Sequence, residues 1–388
     1  MTISQKFKKN FEEYLKKELK DFVILKDKYY LDVKRVEWLD KEDEKINEKR
    51  DWSYLRSLIE NGGTFYAKAA IEFVIKDKDG NVIKTIKKHL KIPVPTFTSG
   101  FIVDGKWYGA INQIRRKPGV YHVKKANGST VSYYNLSNKA NFKVIIDTDG
   151  VARIHYGTKT VPVGSLVKAL GWNDVIEAMG PMKELQKFDD PEESLIKFTE
   201  LLKKEKYDDF NSALQAFKEY FSDAQTEEGK LLDLREELKN LFLVHNGKKP
   251  PNQLNDLRDR FVLSPAELMV ERIKFAFRKG GLGTKIRKYL RENKLDKLTS
   301  GMLDLQSVID TYFVGTGIGA ALQKVNIFDL LTSHKKVTYT GEGGIDDPRN
   351  IDDTVRDIHE SEYGIIDPIQ TPSSLKVGLV KHYTINVD

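Results

Sequence analysis

Cysteine is absent from all 388 residues, which excludes disulfides, thiol nucleophiles and zinc–cysteine centres together. No apolar run reaches the roughly eighteen residues of a membrane-crossing helix, so none is predicted. From Met1 the chain goes directly into a charged amphipathic pattern, without the apolar core of a signal peptide. Apolar residues make up 40%, below the roughly 45–50% of ordinary soluble domains. Catalytic signatures are missing as well. The histidines (His89, His122, His155, His245, His334, His359 and His382) show no H-x-x-x-H or H-E-x-x-H spacing, so zinc hydrolysis is not expected. There is no G-x-S-x-G, and Lys279 to Lys285 lacks the spacing of a Walker A lysine. Gly315-Thr-Gly-Ile-Gly319 opens no βαβ unit and has no acidic residue placed for a ribose, so a dinucleotide fingerprint is rejected. Asp346-Asp347 and Asp352-Asp353 offer oxygen ligands for Mg²⁺, but Pro348, Arg349 and Asn350 separate them irregularly and a solvated acidic loop is the better reading. The expectation is a soluble, cytoplasmic chain without a self-contained active site.

What is present is charge, at 31% of residues, with a net of +7. Its distribution matters more than its sum. Glu271 to Lys297 carries ten Lys/Arg against three acids, whereas Lys183 to Lys239 carries ten against sixteen acids and Glu342 to Glu362 two against eight. A basic segment beside acidic ones predicts a polyanion contact on one surface, although solvated helix faces can look the same.

The length suits two or three domains. Residues 5–20 repeat Phe7, Phe11, Leu15 and Leu19 at helical spacing, and Phe22–Leu25 and Tyr29–Val33 read as strands. Lys41 to Arg50 reads as a solvated connection. From Phe65 to Ile75 the period is two, and Asp79-Gly80-Asn81 then turns a hairpin, as Asp104-Gly105 does further on. Three strands follow over 131–136, 142–146 and 152–156, and a helix begins at Val163. Residues 184–244 carry apolar helical stripes that mean packed helices. Lys248-Lys-Pro-Pro-Asn252 is the best linker. An amphipathic helix covers 266–277, helical turns surround Val308, Ile309, Tyr312 and Phe313, and Val377 to Val387 reads as a strand. An unpaired apolar strand there would be an aggregation hazard, and a second polypeptide would remove it.

Three runs, in order, resemble the second-largest (β) subunit of multisubunit DNA-dependent RNA polymerases. The first is Gln113-Ile-Arg-Arg-Lys-Pro-Gly-Val-Tyr121, similar to Q-L-H-R-S-P-G-V-Y. A Pro-Gly turn there would present Arg115, Arg116 and Lys117 together to a phosphate backbone; a basic surface turn is the alternative. The second is Asn255 to Glu267, similar to D-H-L-G-N-R-R-V-R-S-V-G-E and matching at Leu257, Arg260, Val262, Ser264 and Glu267. The third runs from His334 to Val380. It follows the order H-K-R-R, G-P-G-G-L, V-R-D-V-H, H-Y-G-R, C-P-I-E-T-P-E-G and G-L-I of the fork region. Gly315 to Gln323 looks like the G-S-S-Q-L-S-Q-F that precedes that fork, and Val161 to Leu170 looks like the start of the family's lobe.

The resemblance implies an α+β multidomain subunit. Its protrusion would comprise residues 1–122 and 257–325, interrupted by an inserted lobe over 123–256 and followed by a loop-rich fork over 326–388. Ending soon after G-L-V resembles the split β subunits of giant-bacteriophage polymerases, with the last strand pairing with another chain. The implied partners are a C-terminal half of β, one or more largest-subunit chains, a promoter-specificity factor, template and nontemplate DNA and nascent RNA, with no membrane. No cofactor is expected in this chain; Mg²⁺ would be bound by the largest subunit of the assembled enzyme. The site is the host bacterium's cytoplasm, with virion packaging as the alternative. Nucleic-acid contacts are expected at Arg115, Arg116, Lys117, Lys285, Arg287, Lys288 and Arg291, with Gln323, His334, Lys336, Arg349, Arg356 and Lys376 towards RNA or the fork junction. In the family the Asp and first Arg of the second run help hold a nontemplate-strand guanine; Asn255 and Arg260 stand at those positions, and Asn255 leaves base preference open. Lys336-Val337-Thr338 replaces an R-R-I-S-like run, so one Arg of the rifamycin pocket is absent and rifampicin insensitivity is expected. The alternatives are a stand-alone nucleic-acid-binding accessory protein or a phage structural protein with a basic inner face.

Overall fold

The computed structural model describes residues 1–388 apart from 26–27, 110, 138, 228–229, 279–280, 316–319, 322–334, 346, 352 and 385–388. Its contacts divide the chain into a discontinuous unit, Met1–Arg115 with Phe261–Asp388, and an inserted one, Arg116–Arg260. The expected boundaries at 122/123 and 256/257 fall inside the inserted unit, and the stretch 326–388 lies with the first.

The discontinuous unit begins with α1 (Ile3–Glu18), started by a capping box in which Thr2 and Gln5 satisfy each other's backbone N–H. Its stripe of Phe7, Phe11 and Leu15 is buried, continued by Leu19. Strands β1 (Phe22–Leu25) and β2 (Tyr29–Trp38) follow. The span expected as a solvated connection is instead helix α2 (Glu42–Lys49). Asp43 on it is buried, accepting from Ser4 and, at 2.7 Å, from Lys8. One carboxylate of the charged run, Asp43, lies inside because its partner, Lys8, projects from another helix, which no local pattern reports, while most of the other charges of the run stay exposed. Helix α3 (Trp52–Glu60) precedes β3 (Tyr66–Asp77) and β4 (Val82–Pro93), giving an antiparallel sheet in the order β1-β2-β3-β4. Short strands β5 (Phe101–Val103) and β6 (Lys106–Gly109) close through Asp104 and Gly105, both at positive φ. β7 (Asn112–Arg116) ends this part.

The inserted unit holds β8 (Gly119–Lys124), β9 (Thr130–Asn135), β10 (Phe142–Ile146), β11 (Ala152–Tyr156) and β12 (Lys159–Pro162), an antiparallel meander whose neighbours follow chain order. Helices α4 (Val163–Ala169), α5 (Asn173–Ala178), α6 (Pro191–Lys203) and α7 (Phe210–Ser222) come next. A small hairpin, β13 (Gln225–Glu227) with β14 (Lys230–Leu231), leads to α8 (Leu234–His245). Tyr134, Phe142, Val144, Phe198, Phe217, Leu241 and Phe242 meet in its core.

The chain then re-enters the first unit through β15 (Arg260–Leu263), α9 (Pro265–Arg278) and α10 (Gly281–Arg291). α9 packs on α1, with Tyr14 donating to Glu271 at 3.2 Å, and its Val270, Ile273 and Phe277 join Phe11 and Phe73 in one core. The described residues of 302–323 include α11 (Leu305–Asp310), α12 (Tyr312–Gly315) and β16 (Ala320–Ala321), the last paired with β6. The tail adds β17 (Lys336–Thr338), β18 (Ile366–Asp367) and β19 (Val380–Tyr383) to a mixed sheet ordered β15-β7-β17-β19-β18. The strand expected over 377–387 is therefore shorter, and it lies between β17 and β18. Its described residues have hydrogen-bonded neighbours on both sides within this chain, so they do not require a second polypeptide for pairing.

Candidate nucleic-acid interface

The first sequence run is pinned to the third inside the discontinuous unit. Gln113, fully buried on β7, pairs in parallel with Thr338 of β17 and donates through Nε2 to the Thr340 carbonyl at 3.0 Å. Its Oε1 accepts from Arg115 Nε at 2.7 Å. Arg115 in turn donates through Nη2 to the Glu342 carbonyl at 2.9 Å and lies 3.6 Å from the Glu271 carboxylate. Arg272, beside Glu271 on α9, holds the Glu342 carboxylate at 2.7 Å and donates to Val308 O and Thr311 Oγ1. In the turn over this cluster, positions 343 and 344 have no room for side chains. A Cβ on Gly343 would stand 2.6 Å from Arg115 Nη2, and one on Gly344 would stand 2.5 Å from the Tyr339 carbonyl. Burial pushes the Tyr312 hydroxyl well above the usual tyrosine range, against the pull of Arg115 and Arg272 nearby. Arg115 is thus a structural clamp with its charge met by carboxylate and carbonyl oxygens.

Arg116, assigned to the inserted unit, has different surroundings. Its guanidinium carbon lies 5.2 Å from the Tyr121 ring and 5.4 Å from the Tyr133 ring, cation–π distances on both. Burial, with the Arg260 charge next, pushes it down to about 10. Its Nε is buried with no hydrogen-bond partner among the described residues. Lys117 is exposed, its backbone N–H donating to Asp259 O at 2.8 Å while its carbonyl accepts from Tyr121 and Asn135. The three consecutive basic residues therefore meet three different sets of partners. Arg260 is half-buried and donates to the Leu254 carbonyl, with Asn255, also half-buried, next along the chain.

On α10 the apolar face (Gly283, Ile286, Leu290) is buried, leaving Lys285, Lys288 and Arg291 exposed one turn apart. Arg287 faces the other way in function: it donates to the Phe277 and Arg278 carbonyls, satisfying the end of α9.

In the tail, Arg356 is a second internal staple. It donates to the carbonyls of Leu375 at 2.9 Å, Val377 at 2.7 Å and Pro348 at 2.7 Å, so it organises backbone rather than facing outward. Lys381 and Glu362 form a buried pair, with side chains 4% and 1% exposed and the ammonium between both carboxylate oxygens at 2.7 and 3.0 Å. Arg349 pairs with Asp347 of its own turn, Lys336 is half-buried on β17, and Lys376 is exposed. Gln323 and His334 lie outside the described residues, as do Asp346 and Asp352. Among the described residues no group of three or more His, Asp or Glu side chains comes together as a metal site.

Sequence reading missed Gln113, Glu271, Arg272 and Glu342 as one cluster. The available signal was Glu342 itself, an acid standing where the G-P-G-G-L pattern has proline.

Two α+β units thus carry an internally paired arginine cluster and an exposed basic face on α10. The comparisons give the particular relatives. Residues 320–388 match the family model described as RNA polymerase Rpb2, domain 3. Over 346 residues the chain is 23% identical to the DNA-directed RNA polymerase subunit beta of Dehalococcoides mccartyi, covering 74% of this chain and 26% of that one. The subunit of the same name from Mesostigma viride is 25% identical over 415 residues, covering 96% of this chain and 38% of its own length. The one from Phaeodactylum tricornutum is 33% identical over 141 residues, 35% of this chain and 10% of that one. The chain therefore spans well under half the length of these relatives, and it is similar to a fragment of an RNA polymerase β subunit.

Proposed function

We propose that this chain is the part of a DNA-dependent RNA polymerase β subunit that grips downstream DNA and lines the RNA–DNA hybrid. The observation that carries the reading is similarity to β subunits along 74% to 96% of the chain, with an Rpb2 domain 3 match over its tail. Direct phosphate contacts fall to the exposed cations Lys117, Lys285, Lys288, Arg291 and Lys376. Arg116, close to both the Arg260 charge and the Asp259 carboxylate, is a further candidate for an anion or base contact. The nucleotidyl-transfer metals, Mg²⁺, would be held by a largest-subunit chain. The reading also includes a promoter-specificity factor as partner and insensitivity to rifampicin.

The test is purification from the native source through a tag on this chain. Stoichiometric larger subunits and DNA-templated, rifampicin-insensitive RNA synthesis are expected. A stable solitary monomer would instead favour an accessory protein.

A further inference from the structure

Residues 341–344 form a hydrogen-bonded β-turn, the Gly344 N–H donating to the Gly341 carbonyl at 2.9 Å. Gly343, third in the turn, has φ of 79°, while Glu342, second, is not in the left-handed region. That combination is a type II turn, whose second position favours proline because the ring pre-sets φ, and whose third needs glycine. The polymerase pattern G-P-G-G-L has both. This chain keeps the glycine and replaces the proline with a residue that brings no such stiffness. Glu342 brings a carboxylate instead, and that carboxylate is held by Arg272 at 2.7 Å while Arg115 holds the carbonyl of the same residue at 2.9 Å. Arg272 is itself fixed by Val308 O and Thr311 Oγ1.

We infer that Glu342 and Arg272 are positioning residues that replace proline's stiffness with an electrostatic latch, making the order of the 341–344 turn dependent on ionic strength. The pair is partly open to solvent, at 22% exposure for Arg272 and 40% for Glu342, so salt reaches it. Among the described residues a proline at 342 would sacrifice no backbone bond, the donors of the turn being Gly341, Gly344 and Ile345. The bearing of this latch on a polymerase fork rests on the reading above; the latch itself does not.

The experiment is amide hydrogen exchange across residues 336–345 of the full chain, at about 50 mM and about 500 mM salt. Wild type is expected to exchange about two- to fivefold faster at the higher salt, the range of a partly exposed ion pair. Glu342→Gln, which keeps shape but not charge, and Arg272→Gln should both exchange fast at either salt. Glu342→Pro should exchange slowly at either salt, and adding it to Arg272→Gln should restore slow exchange. If Arg272 mattered only as packing for α11, the proline would not rescue it. Salt-independent exchange in wild type, Glu342→Gln behaving as wild type, or an Arg272→Gln variant not rescued by proline each overturns the latch. None of these outcomes depends on which subunits purify with the chain.

Discussion

Arg115 and Arg116 are consecutive in sequence, yet one belongs to the discontinuous unit and the other to the inserted one. Arg115 meets a carboxylate, a carbonyl and an amide oxygen. Arg116 lies against two tyrosine rings and feels a second arginine. The difference teaches that a basic residue's role follows from whether the fold has already supplied its counter-charge. A compensated cation holds structure, and its loss takes a donor from each oxygen it met. Arg116 has only the Asp259 charge to set against burial and Arg260, so its loss is expected to cost less structure.

The sharpest way to break that comparison is Arg115→Ala. It removes the guanidinium beside Glu271, which keeps the Tyr14 hydroxyl, and leaves the Glu342 carbonyl and Gln113 Oε1 without their donor, so stability should fall by about 1–3 kcal/mol. Urea unfolding reads this, and an unchanged midpoint would mean the clamp is ornamental. Next, Lys285, Lys288 and Arg291 replaced together by alanine should leave unfolding unchanged while flattening the slope of log K against log salt on duplex DNA by about 2–3. A slope equal to wild type would show that α10 faces no phosphate.

Arg116→Ala should act in the same sense as that triple, but with a slope change of at most about 0.9 and little loss of stability, since an Arg–Arg repulsion goes with it. If it instead destabilises as Arg115→Ala does, the distinction between the two arginines collapses.

The smallest effect tests a compensated charge in the inserted unit. Burial would raise the Glu237 carboxyl, but hydrogen bonding and charge from His122, 2.9 Å away, together with Asn240, hold it below its usual 4.5. A depressed carboxyl contributes stability that is complete above the unfolded-state value and is lost as pH falls through the lower folded one. Melting temperature should therefore decline on acidification below about pH 4.5, and Glu237→Gln should remove that component of the decline.

Much of the fold was legible locally. The period-two run from Phe65, the Asp79-Gly80 and Asp104-Gly105 turns, and the stripe of Phe7, Phe11 and Leu15 each declare their element, because the spacing of apolar residues and the need for positive φ are properties of short segments. What misled was charge. Asp43 reads as solvated with the rest of Lys41 to Arg50 until Lys8 appears opposite it, and nothing local reports the three carbonyls that Arg356 meets.

Sequence alone determined the secondary-structure pattern, the absence of cysteine chemistry and the succession of motifs shared with polymerase β subunits. Tertiary structure alone decided which basic residues are already satisfied. Arg115 and Glu342, Arg272 and Val308, Lys381 and Glu362 are separated by between nineteen and 227 positions. A charge is compensated by whatever the fold brings within a few ångströms, and neither composition nor local spacing carries that distance.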